Sequence, residues 1–167
     1  MQTSELLQLL ARTDQEVIEF TVFGIPKPQG SKTAMPFRRK NGKLGANLLE
    51  GSTPKSRAAF KDWRSAIAHA ASTWNARHLA SPPALEGALA VTLHFFLPRP
   101  KSLPKRVLFS SKKPDLDKLV RTVFDGMTGI LFKDDSQIVS LRASKEYVAN
   151  GTLPRVEVIL DTLKKAD

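Results

Sequence analysis

Apolar positions recur along this chain in two rhythms, and each rhythm marks out elements. From Val17 to Phe23, Ile18, Phe20 and Val22 alternate with Glu19 and Thr21, the period-two pattern of a half-buried strand, and Pro26 and Pro28 end it. Asn41-Gly42 suits the turn of a hairpin between residues 35–39 and 44–49. Thr53-Pro54 reads as an N-cap with proline at the first helical position, and Phe60, Trp63, Ile67, Ala70 and Trp74 form one stripe of a helix running to about Asn75. From Ala88 to Leu97 both alternating sets are largely apolar, which predicts a central strand covered on both faces. Leu116, Leu119, Val120, Val123, Phe124 and Met127 then follow helical spacing from near Asp115 to a stop at Gly129. A strand is predicted over residues 137–148 with Val139, Leu141 and Ala143 inward, and Val156, Val158 and Leu160 mark a last one. Leu6, Leu7, Leu9 and Leu10 predict a short amphipathic helix, making residues 1–15 a helical N-terminal extension. The order predicts a single α+β domain over residues 1–167, one mixed sheet with helices packed against it.

Composition narrows the function. The 167 residues contain no cysteine, which excludes disulfides, thiolate zinc sites and a cysteine nucleophile, and no apolar run approaches a membrane span, so a cytoplasmic protein without a membrane partner is expected. Twenty-six Lys and Arg against 16 Asp and Glu give a net charge of +10, which points to a polyanion. The cations cluster. Lys27, Lys32, Arg38, Arg39, Lys40 and Lys43 surround the hairpin, and a second run ends in Lys112 and Lys113, followed by Lys118. A basic loop can be merely a solvated surface, but contacts to a nucleic-acid backbone supply most non-specific affinity, and these residues are the candidate DNA contacts. The lone histidines His69, His78 and His94 read as solvated or structural.

Within this basic chain the second helix is bracketed by carboxylates, Asp115 and Asp117 at its start and Asp134 and Asp135 in the turn beyond its end. Asp117, Arg121 and Asp125 form an i, i+4, i+8 row on one helix face. A short return after the helix is expected to bring Asp135 back toward Asp115 and Asp117. Clustered carboxylates repel unless something neutralises them, and Mg²⁺ takes oxygen ligands from one or two carboxylates with waters and phosphate oxygens. The same residues also suit capping, with Asp115 as N-cap, Asp117 as a first-turn dipole partner, and Asp134 and Asp135 in a turn. Residue chemistry leaves both readings open.

The run Lys113-Pro114-Asp115-Leu116-Asp117-Lys118-Leu119, then Phe124-Asp125-Gly126-Met127-Thr128-Gly129, then Lys133-Asp134-Asp135-Ser136-Gln137-Ile138 resembles the signature of the RusA-type Holliday junction resolvases, crossover junction endodeoxyribonucleases often carried by phages and prophages. The resemblance implies that Asp115, Asp117 and Asp135 bind a catalytic divalent metal, Mg²⁺ with Mn²⁺ as a substitute. It also implies a homodimer acting on four-way DNA junctions in recombination and repair. Two positions depart from the family pattern: Arg121 stands where a catalytic lysine is usual, and Lys118 where asparagine often follows the second aspartate. Arginine stabilises a charged transition state but does not readily give up a proton. Arg121, with Lys118, is therefore expected to act as fixed positive charge. The rival functions are a metal-dependent nuclease on flaps or single strands, and a non-catalytic DNA-binding module.

Overall fold

The computed structural model describes residues 17–30, 32–50, 53–78 and 85–163. The elements are β1 (Val17–Phe23), β2 (Lys32–Arg38), β3 (Leu44–Glu50), α1 (Pro54–His78), β4 (Ala88–Leu97), α2 (Leu116–Met127), a 3-10 turn (Asp135–Gln137), β5 (Ile138–Tyr147) and β6 (Arg155–Leu163). The predicted N-terminal helix lies outside the described residues. β2 and β3 form a separate two-stranded sheet, closed by the predicted turn with Gly42 at φ 79°. The other four strands make one sheet in the order β1-β6-β4-β5. β6 runs antiparallel to both β1 and β4, whereas β4 and β5 are parallel. The α+β arrangement is the one predicted, a mixed sheet with packed helices.

A parallel pair needs a crossover, and α2 is that connection: it runs from beyond the C-terminal end of β4 back to the N-terminal end of β5. Its apolar stripe packs into a single core with Ile18 and Val22 of β1, Leu89 to Leu97 of β4 at alternate positions, Val156, Val158 and Leu160 of β6, and Trp63, Ile67 and Ala71 of α1. The helices approach closely at Gly126, where an added Cβ would stand 2.7 Å from Ile67 Cγ2. The α1 stripe is rotated slightly from the sequence expectation, since Ala71 and Asn75 are buried while Ala70 and Trp74 are half-buried.

Two expectations about sidedness are corrected. β4 is an interior strand, but of its second set only Ala90 is buried, and Thr92, His94 and Phe96 are half-buried, because the core helices lie on the opposite face. His94 is satisfied there by Ser144 Oγ at 2.8 Å. β5 is the outermost strand, and Val139 and Leu141 are exposed rather than inward. Alternation reveals that a strand has two faces; it does not reveal how far along the strand a neighbour covers one of them.

Candidate active site

The exposed end of α2 is built from three directions. Pro114 precedes Asp115, which has extended backbone angles (φ −69°, ψ 137°) and occupies the N-cap position, yet its side chain makes no capping hydrogen bond. Its Oδ2 instead lies 3.2 Å from Lys118 Nζ. Asp117 is exposed in the first turn. Both carboxylates thus sit at the positive end of the helix dipole, where unpaired backbone N–H groups favour anions.

The second direction is β5. Lys145 Nζ donates to Lys112 O at 2.8 Å and to Pro114 O at 2.7 Å, fastening the segment that enters the helix. The third is the loop after β1. Gln29 N donates to Lys118 O at 3.0 Å, and Gln29 Nε2 to Asp125 Oδ2 at 3.1 Å. Pro28, Gln29 and Gly30 face Lys113, Pro114, Asp115 and Lys118 across a cleft of about 410 Å³. Arg121 is exposed one turn further along the helix.

The turn after α2 divides its two aspartates. Asp134 Oδ1 accepts from Ser136 N at 2.8 Å, while Gln137 Oε1 accepts from Asp134 N at 3.1 Å, a complete capping box. Gln137 Nε2 then ties this turn to Leu85 O and Gly87 O, at 3.1 and 3.2 Å, beside the start of β4. The Ser136 hydrogen bonds hold the Asp134 carboxyl below its ordinary value. Asp134 is therefore a capping residue, while Asp135 is exposed at the start of the turn.

The fold brings Asp115 and Asp117 together with Lys113, Lys118 and Lys145, and it does not bring Asp135 to them. Asp117 to Met127 spans about 15 Å at 1.5 Å per residue, and Asp135 lies beyond that far end. Among the described residues no three His, Cys, Asp or Glu side chains converge as a metal cage. The expected return of Asp135 toward the first pair fails within one chain because a crossover helix deposits its two ends at opposite ends of the sheet. Of the candidate DNA contacts, Arg38, Arg39, Lys40, Lys43, Lys112 and Lys113 are exposed, Lys27 and Lys118 are half-buried, and Lys32 opens β2.

Sequence reasoning passed over Lys145 and Gln29. Lys145 left a signal: it shares the alternation of Leu141, Ala143 and Tyr147 and lies opposite fully buried Phe95, a charged residue in the register that faces the core. Gln29 left none.

The donor set suits a hard cation, since Asp115 and Asp117 are exposed and Asp115 is not consumed by capping, and two carboxylates with waters and phosphate oxygens suffice for Mg²⁺. Fold and site together define a basic α+β domain that presents carboxylates among cations. The family described as Endodeoxyribonuclease RusA matches residues 36–161, and the chain belongs to that family of nucleases, which act on branched DNA. The chain is also 29% identical over 155 residues to the uncharacterized protein YqaN of Bacillus subtilis (strain 168), covering 87% of this chain and 96% of that protein. No helix among the described residues is long and apolar enough to cross a membrane.

Proposed function

We propose that this chain is a Mg²⁺-dependent endonuclease that resolves four-way DNA junctions as a homodimer, with Mn²⁺ as a substitute metal. The observation that carries the reading is the exposed Asp115 and Asp117 pair at the entry of α2, set among Lys113, Lys118 and Lys145. Asp115 and Asp117 would hold the ion; Asp135, which the resemblance assigns to the same metal, stands apart from them within one chain. When bound, the ion supplies an activated water and stabilises charge on the phosphodiester. Lys118 and Arg121 offer fixed positive charge to the scissile phosphate and the leaving oxygen, and the helix N-terminus adds oriented N–H groups. The basic hairpin and Lys112 grip backbone, as suits a reader of branched shape rather than of bases.

A labelled four-way junction, a duplex and a flap, each incubated with Mg²⁺ or with EDTA, test the reading. The expected result is metal-dependent cutting concentrated on the junction. Asp115→Asn, Asp117→Asn and Asp135→Asn should each reduce cleavage by three or more orders of magnitude (~4 kcal/mol of barrier or more) while junction binding persists or tightens. Preferential cutting of the flap would favour the rival nuclease. Binding without cutting at any metal concentration would leave a DNA-binding module.

A further inference from the structure

Between β4 and α2 the chain passes through a stretch, residues 98–113, that carries Arg99, Lys101, Lys105, Arg106, Lys112 and Lys113 and no acidic residue. This loop is tightly fastened. Leu103 N donates to Pro100 O at 3.0 Å and Val107 N to Pro104 O at 3.1 Å, which makes two successive turns. Arg99 is engaged within the protein: its Nη1 donates to Pro104 O at 3.2 Å and its Nε to Val148 O at 3.5 Å, with the guanidinium 5.5 Å from the centre of the Tyr147 ring. Beyond the turns the chain lies along β5, where Tyr147 N donates to Leu108 O at 2.8 Å and Phe109 bridges to Glu146. Ser110 is buried, and Lys145 Nζ holds Lys112 O at 2.8 Å. Leu108 and Phe109 thus have anchors on both sides.

The fastened segment holds apolar side chains out of the core. Leu108 is 56% and Phe109 70% exposed, against the ordinary tendency of such residues to be covered. Around them Lys101, Lys105, Arg106, Lys112 and Lys113 are exposed as well. Glu146, in register with Phe109, is half-buried and is outnumbered by these cations. A second copy of the chain, itself at +10, meets this surface with like charge, whereas a strand of DNA brings phosphates for the cations and a flat base for the ring.

We propose that residues 101–113 form a binding site for unpaired nucleotides, in which Phe109 stacks on a base exposed at a branch point while Lys105, Arg106 and Lys112 hold the flanking phosphates. The inference rests on the proposed action on branched DNA and adds the part of the chain that senses the branch. Bases inside a continuous duplex are stacked on one another, so the ring finds a partner only where that stack is interrupted. Every base has a face to offer, and the contact is therefore tolerant of sequence. Its position suits the cleft. The six residues from Phe109 to Asp115 cover at most about 20 Å of chain, the length of a few nucleotides, and Lys112 and Lys113 continue the cationic path to Asp115.

The test measures binding in EDTA, apart from any cutting. The full-length protein is titrated with an oligothymidylate, with an abasic strand of the same length, and with a blunt duplex. Wild type should bind the oligothymidylate about tenfold more tightly than the abasic strand. Phe109→Ala should lose that preference, leave duplex affinity unchanged and keep the salt slope, since it removes no cation. Phe109→Trp should retain the preference and Phe109→Leu should not, because a base needs an aromatic face whereas a protein contact accepts either apolar side chain. Lys105→Gln with Arg106→Gln should flatten the single-strand slope by up to about 1.4 while the preference for bases persists. Equal affinity of the wild type for normal and abasic strands overturns the proposal, as does a preference that survives Phe109→Ala or a loss shared by the duplex. Retention by Phe109→Leu, or a shift from dimer to monomer in sedimentation of Phe109→Ala, rejects the base contact and gives the ring to a second copy. Base preference through Phe109 without metal-dependent junction cutting would uphold this site while sinking the nuclease reading, so the two failures are told apart.

Discussion

Lys145 carries a charge into a register that its strand otherwise gives to the core, and its ammonium is spent on two backbone carbonyls at the mouth of α2. Charge-assisted bonds of this kind contribute about 1.5–3 kcal/mol each when buried, less here because Lys145 is half-buried. Lys145→Met keeps the stem and deletes the donors. It is expected to lower stability by about 1–3 kcal/mol and to raise the metal concentration needed for half-maximal cleavage by about 10–100-fold, as loss of a group that orients ligands does. Thermal unfolding and a Mg²⁺ titration separate the parts, because a lysine that only stabilised the fold would move the first and not the second. Arg121 poses the complementary question. Acting as fixed charge, it tolerates Arg121→Lys within about tenfold, or about 1.4 kcal/mol of barrier, whereas Arg121→Ala loses far more. Single-turnover rates from pH 6 to pH 10 check this. A faster Arg121→Lys enzyme with a new alkaline limb would show instead that the position donates a proton.

At the scale of elements, α2 was the most legible piece of the chain, because its stripe, its proline entry and its glycine stop are all local signals. What the stripe packs against was not legible. Gly126 reads in sequence as a weak helix residue, and only the packed structure shows Ile67 filling the space its missing side chain leaves. Gly126→Ala would gain about 1 kcal/mol at an exposed helical site, but here overpacking costs about 1–3 kcal/mol, and a net loss of stability is expected in a denaturant titration. β6 offers a second test. Partial burial raises the Asp161 carboxyl above its ordinary value. A raised acid favours the folded state while protonated, so its contribution is present at acid pH and is lost as pH rises through the raised value. Asp161→Asn is therefore expected to raise the melting temperature at pH 7 and leave it nearly unchanged at pH 3. The strands also show where periodicity stops informing: the alternation in β5 was correct in phase, yet Val139 and Leu141 proved exposed, since an edge position depends on sheet order that no local pattern encodes.

Across the whole molecule, the part of the site written within three residues was readable and the part that depends on topology was not. Asp115 and Asp117 stay together whatever the fold does, whereas the place of Asp135 follows from the crossover between two parallel strands, which only long-range pairing reveals. Charge follows the same division. Its clusters are plain in the sequence, but the structure divides them between two surfaces, the mouth of α2 with Lys112 and Lys113, and the tip of a hairpin that forms its own small sheet. If both surfaces meet DNA, they contribute separable shares of the counterions released on binding, because each phosphate contact adds about 0.9 to the slope of log affinity against log salt. Replacing Arg38, Arg39 and Lys40 with glutamine should flatten that slope by up to about 2.7 and weaken junction binding at low salt while sparing the single-turnover cleavage rate at saturation, since these exposed residues are remote in sequence and element from Asp115 and Asp117. Lys112→Gln with Lys113→Gln should flatten the slope by up to about 1.8 and also slow cleavage, because Lys113 lines the cleft beside Asp115. Filter binding from 50 to 300 mM salt, paired with rates at saturating enzyme, measures both quantities. An unchanged slope in the triple variant would take the hairpin off the DNA and leave the mouth of α2 as the principal contact.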